Sequence, residues 1–160
     1  MQKVSIVCVG KLKEKFYADA AAEYAKRLSR FCKLDIVELA EERLPEEPSP
    51  AQIEAALGKE ADAIRGKLPA SAFIIAMCVE GKARSSEELA RLMADSASRG
   101  DSHLVFLIGS SFGLHPSVKA LAAVKLSMSP MTFPHHLARV MLLEQIYRAY
   151  QINAGSKYHK

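Results

Sequence analysis

The sequence predicts an α/β domain, a mostly parallel sheet covered by helices on both faces. Three observations carry that prediction. Short apolar runs rich in Val and Ile recur along the chain and end at a glycine or an acidic turn, as strands buried on both faces do. Stretches with the 3.6-residue period of amphipathic helices separate those runs. Two of these stretches open on a serine followed three residues later by Gln or Glu, the capping box that satisfies the free N–H groups of a helix start.

Taken in order, "VSIVCVG" (4–10) is the first strand. In 13–31, Tyr17, Ala20, Ala21, Tyr24, Leu28 and Phe31 recur on one helical face. "LDIVELA" (34–40) alternates as a second strand, and the acidic "EERLPEEPSP" (41–50) is a surface loop inside one domain. The next helix opens with Ser49 as N-cap, Pro50 in its first turn and Gln52 closing the box. "AFIIAMCVEG" (72–81) is the third strand, and Ser85 with Glu88 caps the helix after it. "HLVFLIG" (103–109) is the fourth strand, "LHPSVKALAA" a helix with Pro116 in its first turn, and "KLSMS" (125–129) a weaker fifth strand. The last helix runs from about Pro134 to about Asn153.

The 160 residues suit one domain with a real core, and no apolar run reaches the roughly 18 residues of a membrane span. The short apolar N-terminus reads as a strand, not a signal peptide, so a cytoplasmic location is expected. Cys8, Cys32 and Cys78 are odd in number and widely spaced, which fits small core residues in a reducing compartment. The net charge of +4 is uneven: residues 1–80 hold 12 Lys/Arg against 13 Asp/Glu, residues 81–160 hold 10 against 5. That surplus suits an anionic partner such as RNA, although many proteins of this pI bind none.

Ligands of parallel sheets sit at the carboxyl ends of the strands, which here are "VGKLK", "VEGKARS", "GSSFGLHP" and "MSPMTFPHH". The glycine fingerprints of dinucleotide and P-loop sites are absent, as is a GxSxG elbow. A metal site is disfavoured, because adjacent His135 and His136 diverge by about 100° on a helix and no HExxH or Cys partner is near. On a helical wheel His135, Arg139, Leu142, Leu143, Ile146 and Tyr150 share one side, with Glu144, Arg148 and Gln151 opposite. A buried Arg139 needs partners, so two readings stand: it pairs with a carboxylate or carbonyls while His135 caps the helix, or both serve a site. A helix so apolar is covered on two sides, which suggests a homodimer interface. The terminal Lys157, Tyr158, His159 and Lys160 offer phosphate contacts, a stacking ring and a titratable group, or form a solvated tail.

"VGKLKEKFY", "VEGK", "VFLIGSSFGLH", "LSMSPMTFPHHLARVMLLEQIYRAYQI" and the terminal "YHK", in this order and spacing over the whole chain, closely resemble the RlmH family. These are the pseudouridine N3-methyltransferases of large-subunit ribosomal RNA in the SPOUT superfamily. The resemblance implies a single SPOUT domain over 1–160 with a deep trefoil knot at about 72–160, a homodimer, and action on the assembled ribosome without a metal. It implies S-adenosylmethionine held at Met77, Gly109, Met128, Ser129, Pro130, Met131, Thr132 and Phe133. It makes His135, Arg139 and His159 candidates for catalysis, and Arg148, Lys157, Tyr158, His159 and Lys160 candidates for gripping RNA. One position departs: the family usually has a second glycine where this chain has Ser110, which matters if the turn needs a left-handed residue. A non-catalytic RNA-binding protein of the same fold, or a methyltransferase for another RNA, stands as the alternative.

Overall fold

The computed structural model describes residues 1–160. Five strands, β1 (Lys3–Val9), β2 (Lys33–Leu39), β3 (Phe73–Ala83), β4 (His103–Ile108) and β5 (Val124–Ser127), form one sheet in the order β2-β1-β4-β3-β5. Every pairing is parallel. The helices are α1 (Lys15–Leu28), α2 (Pro50–Arg65), α3 (Ser86–Ser98), α4 (Pro116–Lys119) and α5 (His135–Asn153).

Side chains alternate across the sheet and divide the core in two. Val4, Ile6, Cys8, Ile75, Leu104 and Phe106 face α1, α3 and α5. Val7, Val9, Ala76, Val105 and Leu107 face α2 and α4. Crossovers moving toward β2 run over the first face, those moving toward β5 over the second. All four therefore share one hand, as strands of a single twist require.

Local chemistry explains the element starts. Both capping boxes form: Ser49 accepts from the Gln52 N–H and Ser85 from the Glu88 N–H, with each box side chain returning to the N-cap N–H. Each is worth about 1 kcal/mol. The expected helix over 114–123 shrinks to the single turn α4, because the Ala123 N–H is already bonded to the Ile74 carbonyl of β3. The third strand runs past its expected end at Gly81. Met77 and Lys82 both stand opposite Leu126, so residues 78–81 are extruded from the ladder and pairing then resumes.

Helix α5 lies between α1 and α3 on the first face, and none of His135–Ile152 is exposed. Leu142, Leu143 and Ile146 are fully buried, as the wheel predicted, and Ala149 joins them. The two-sided cover that its composition demands comes from α1 and α3 of the same chain. Phe31 stacks on Tyr150 at 5.7 Å on one side, and Asn153 donates to the Ala90 carbonyl on the other.

Candidate active site

The carboxyl edge of β4, β3 and β5 opens into a cavity of about 810 Å³. Three segments wall it: the extruded piece after Met77, the turn Gly109–Leu114 after β4, and the chain from Leu126 to Pro134 after β5. Close backbone packing shapes each wall. A Cβ on Gly109 would lie 2.2 Å from the Gly113 carbonyl oxygen, and one on Gly81 would lie 2.8 Å from the Leu126 backbone. The β4 turn closes with the Gly113 N–H on the Ser110 carbonyl, and Gly113 takes φ +86°. Only glycine adopts that conformation freely.

Residues 128–134 leave β5 at the sheet edge and arrive beside Gly10, beyond the end of β1. They therefore pass over the ends of β3 and β4. The Ser127 hydroxyl donates to the Ser129 carbonyl and the Met131 N–H to the Ser129 hydroxyl. Met77, Gly109, Met128, Ser129, Met131, Thr132 and Phe133 all line the cavity, whereas Pro130 stands in the loop without lining it. Glu80 and Lys119, paired with each other on the rim, were not singled out in the sequence. Lys119 lies in a short helix with no motif of its own, so no sequence signal marked it.

His135 lines the same cavity, and its Nε2 is buried with no hydrogen-bond partner. Burial, then the neighbouring His136, push its pKa below the usual 6.5, so the ring is neutral at physiological pH. It does not cap α5, whose start has no side-chain cap at all. Arg139, the other candidate on this face, sits away from the cavity. Its side chain is 3 % exposed and absent from the cavity wall. It donates to Glu38 Oε2 at 2.6 Å and to the Gly10 carbonyl at 2.9 Å, tying α5 to the ends of β2 and β1. Of the two readings, the pairing with a carboxylate and a carbonyl is the one the fold adopts, because a guanidinium brought this deep must be neutralised where it sits.

Ser110 needs no left-handed backbone, since every residue with positive φ in the chain is a glycine. Its hydroxyl donates to the buried Glu60 at 3.1 Å, and the Glu42 N–H donates to the other carboxylate oxygen at 3.0 Å. Burial raises the Glu60 pKa and these two donors hold the rise back. The hydroxyl thus braces the cavity turn against α2, a role no glycine can fill.

The tail folds onto the far half of α5. Tyr158 donates to Glu144 and packs edge-on against Tyr147 at 4.9 Å. Arg148 is doubly bonded to Glu144 and lies over the Tyr158 ring. His159 bridges Arg148 and Glu87, which lies in the first turn of α3. His135 and Arg148 are thirteen residues apart on one helix, about 20 Å at 1.5 Å per residue. Within one chain, then, His159 does not join His135. Lys157 and Lys160 are exposed, whereas Arg148 is already paired. No group of His, Cys, Asp or Glu side chains is placed to hold a metal ion, and no helix is long and apolar enough to cross a membrane.

A family model described as "Predicted SPOUT methyltransferase" matches residues 2–159. Among similar curated proteins is the ribosomal RNA large subunit methyltransferase H of Clostridioides difficile (strain 630), 50 % identical over 98 % of this chain and 99 % of that protein. The protein of the same name from Bifidobacterium adolescentis is 50 % identical over 99 % of each chain. That from Streptococcus sanguinis (strain SK36) is 46 % identical, again over 99 % of each. With the parallel sheet and its carboxyl-edge cavity already described, matches of this length place the chain in the SPOUT methyltransferase family.

Proposed function

We propose that the protein transfers a methyl group from S-adenosylmethionine to N3 of a pseudouridine in large-subunit ribosomal RNA, on the assembled ribosome. The observation that carries this reading is the cavity at the carboxyl edge with His135 among its lining residues, in a chain half identical to methyltransferases named for that RNA.

The cavity suits the cofactor. Its volume lies in the range of small-molecule sites, its walls mix methionine, leucine and phenylalanine with serine, threonine and histidine, and three strand ends edge it. Met77, Gly109, Met128, Ser129, Met131, Thr132 and Phe133 would hold the nucleoside, and the Glu80–Lys119 pair offers both charges to an amino-acid end. When bound, S-adenosylmethionine supplies an electrophilic methyl carbon. The protein must orient the acceptor nitrogen and take its imide proton. His135, a neutral imidazole among the lining residues, is the candidate to accept it, once its ring turns Nε2 from Gly10 toward the cavity. A knot over about 72–160 fits the passage of 128–134 across the strand ends and the close approach of Gly81 to Leu126.

The working assembly in this reading is a homodimer. Phe16, Phe112 and Met131 expose large apolar side chains, the last two lining the cavity, and a surface of this kind suits a second copy. His159 stands about 20 Å from His135 within one chain, so joint action needs a tail from the other protomer. Lys157 and Lys160 supply free charge for phosphate contact, so affinity for ribosomes falls as salt rises.

The test is transfer of labelled methyl to ribosomes lacking the modification, with free RNA as comparison. Label is expected at a pseudouridine in ribosomes, with His135→Ala lowering kcat about 100-fold or more and leaving cofactor affinity unchanged. Wild-type turnover in that variant excludes His135 as the base. Cofactor binding without any label points to a different RNA.

A further inference from the structure

We propose that a second cavity, of about 390 Å³, receives the RNA segment flanking the nucleotide to be methylated, with Arg84 holding a phosphate of that segment. This rests on the methyltransferase reading and extends it to where the substrate sits.

Only two buried side-chain nitrogens in the chain lack a hydrogen-bond partner: His135 Nε2 and Arg84 Nε. His135 is among the residues lining the first cavity, with its Nε2 turned against Gly10, and Arg84 is among those lining the second. An orphaned buried donor costs about 1–3 kcal/mol, so such groups are rare and point to a missing partner. Arg84 has no carboxylate or carbonyl within bonding distance, unlike Arg139 with Glu38 and Arg148 with Glu144. It sits in the tight link between the end of β3 and Ser85, the N-cap of α3, so backbone pairing and a capping box fix its place.

The two cavities share a wall. Met77, Leu126, Ser127 and Met128 line both. An occupant of the second therefore lies one side chain away from an occupant of the first, close enough for one RNA strand to fill the second cavity and present its next nucleotide to the cofactor. The second cavity has the size of a small-molecule site. Met77, Met128 and Met141 give it soft apolar faces for a base. Gln145, held by Ser86 at 2.6 Å and by Glu144 at 3.0 Å, gives it a fixed amide. What is left without an ion-pair partner is a guanidinium with its Nε buried, and a natural complement of such a cation is a phosphate.

Arg84→Ala and Arg84→Lys separate this from other roles. Ribosome KM, kcat, cofactor Kd, and binding of ribosomes by co-sedimentation are measured at several salt concentrations, with circular dichroism to show that each variant is folded. Arg84→Ala is expected to raise the ribosome KM and Kd about 10-fold and to lower the slope of log affinity against log salt by about one phosphate's worth. The same variant is expected to leave kcat and cofactor Kd within about 2-fold, while Arg84→Lys, which keeps the charge and loses the bidentate geometry, restores the salt slope and part of the affinity. Unchanged ribosome affinity and salt slope in Arg84→Ala overturn the proposal. So does a loss confined to cofactor binding, which assigns Arg84 to the cofactor's carboxylate. If the wild type binds ribosomes but transfers no methyl, the methyltransferase reading fails by itself. The co-sedimentation arm still decides whether Arg84 grips RNA.

Discussion

The carboxyl edge of the sheet has two halves made of the same kind of element and finished in opposite ways. At the ends of β1 and β2, Arg139 fills the space between α5 and the strands and is neutralised by Glu38 and the Gly10 carbonyl. At the ends of β4, β3 and β5, glycine turns and a crossing loop leave an open cavity. The closed half is filled by a neutralised charge; the open half holds the cavity, with His135 among its lining residues. The difference teaches that a strand end becomes a site only where the chain after it stands off from the sheet.

The closed half breaks hardest. Arg139→Ala leaves Glu38 and the Gly10 carbonyl without their donor and a hole under α5, so stability should fall by about 2–4 kcal/mol, as Glu38 is partly able to rehydrate. Urea unfolding measures it, and a loss under about 1 kcal/mol means that the pair is dispensable. The open half breaks in function first. Gly109→Ala puts a methyl group into the Gly113 carbonyl, so the turn must open and cofactor affinity should drop at least about 10-fold in a folded protein. Calorimetry with S-adenosylmethionine decides; unchanged affinity would show that the turn does not touch the cofactor.

A subtler contrast concerns the brace behind that turn. Burial lifts the Glu60 pKa above 4.5, so the folded state binds this proton more tightly than the unfolded chain does. Its contribution to stability is present below about 4.5 and is lost as pH rises through the raised folded value. Glu60→Gln should remove that decline, and Ser110→Gly, which deletes one donor, should cost about 1–2 kcal/mol at pH 8. Urea melts at pH 5 and pH 8 compare them; a decline as steep in Glu60→Gln as in the wild type assigns it to another group. The smallest effect is expected at the tail. Within one chain His159 joins a half-exposed Glu87, so His159→Ala should change monomer stability by less than about 0.5 kcal/mol. A large loss of turnover in that same variant would place the tail at the site of a second protomer.

Much of this was legible in the chain. Five apolar runs became five strands, and both capping boxes formed where Ser49 and Ser85 announced them. The buried face of α5 followed its wheel, because burial on a helix is a matter of period. The strand-end segments also marked the cavity walls, since the C-terminal edge is where a parallel sheet exposes its turns. Less legible were the partners. Arg139 and His135 share a helical face four residues apart, yet one is sealed against Glu38, a hundred and one residues away, and the other opens on a cavity. Local spacing carries no information about such distant pairings.

The sequence by itself determined the class of fold, the element order and the faces to be buried, because period, propensity and caps act within a few residues. The tertiary structure alone decided which strand end is filled and which is open. It paired Ser110 with Glu60, fifty residues away, and left Arg84 and His135 unpartnered. Those outcomes depend on how the loop after β5 passes over β3 and β4 to bring α5 back against β1. That path is set by the packing of the whole chain and by no segment of it.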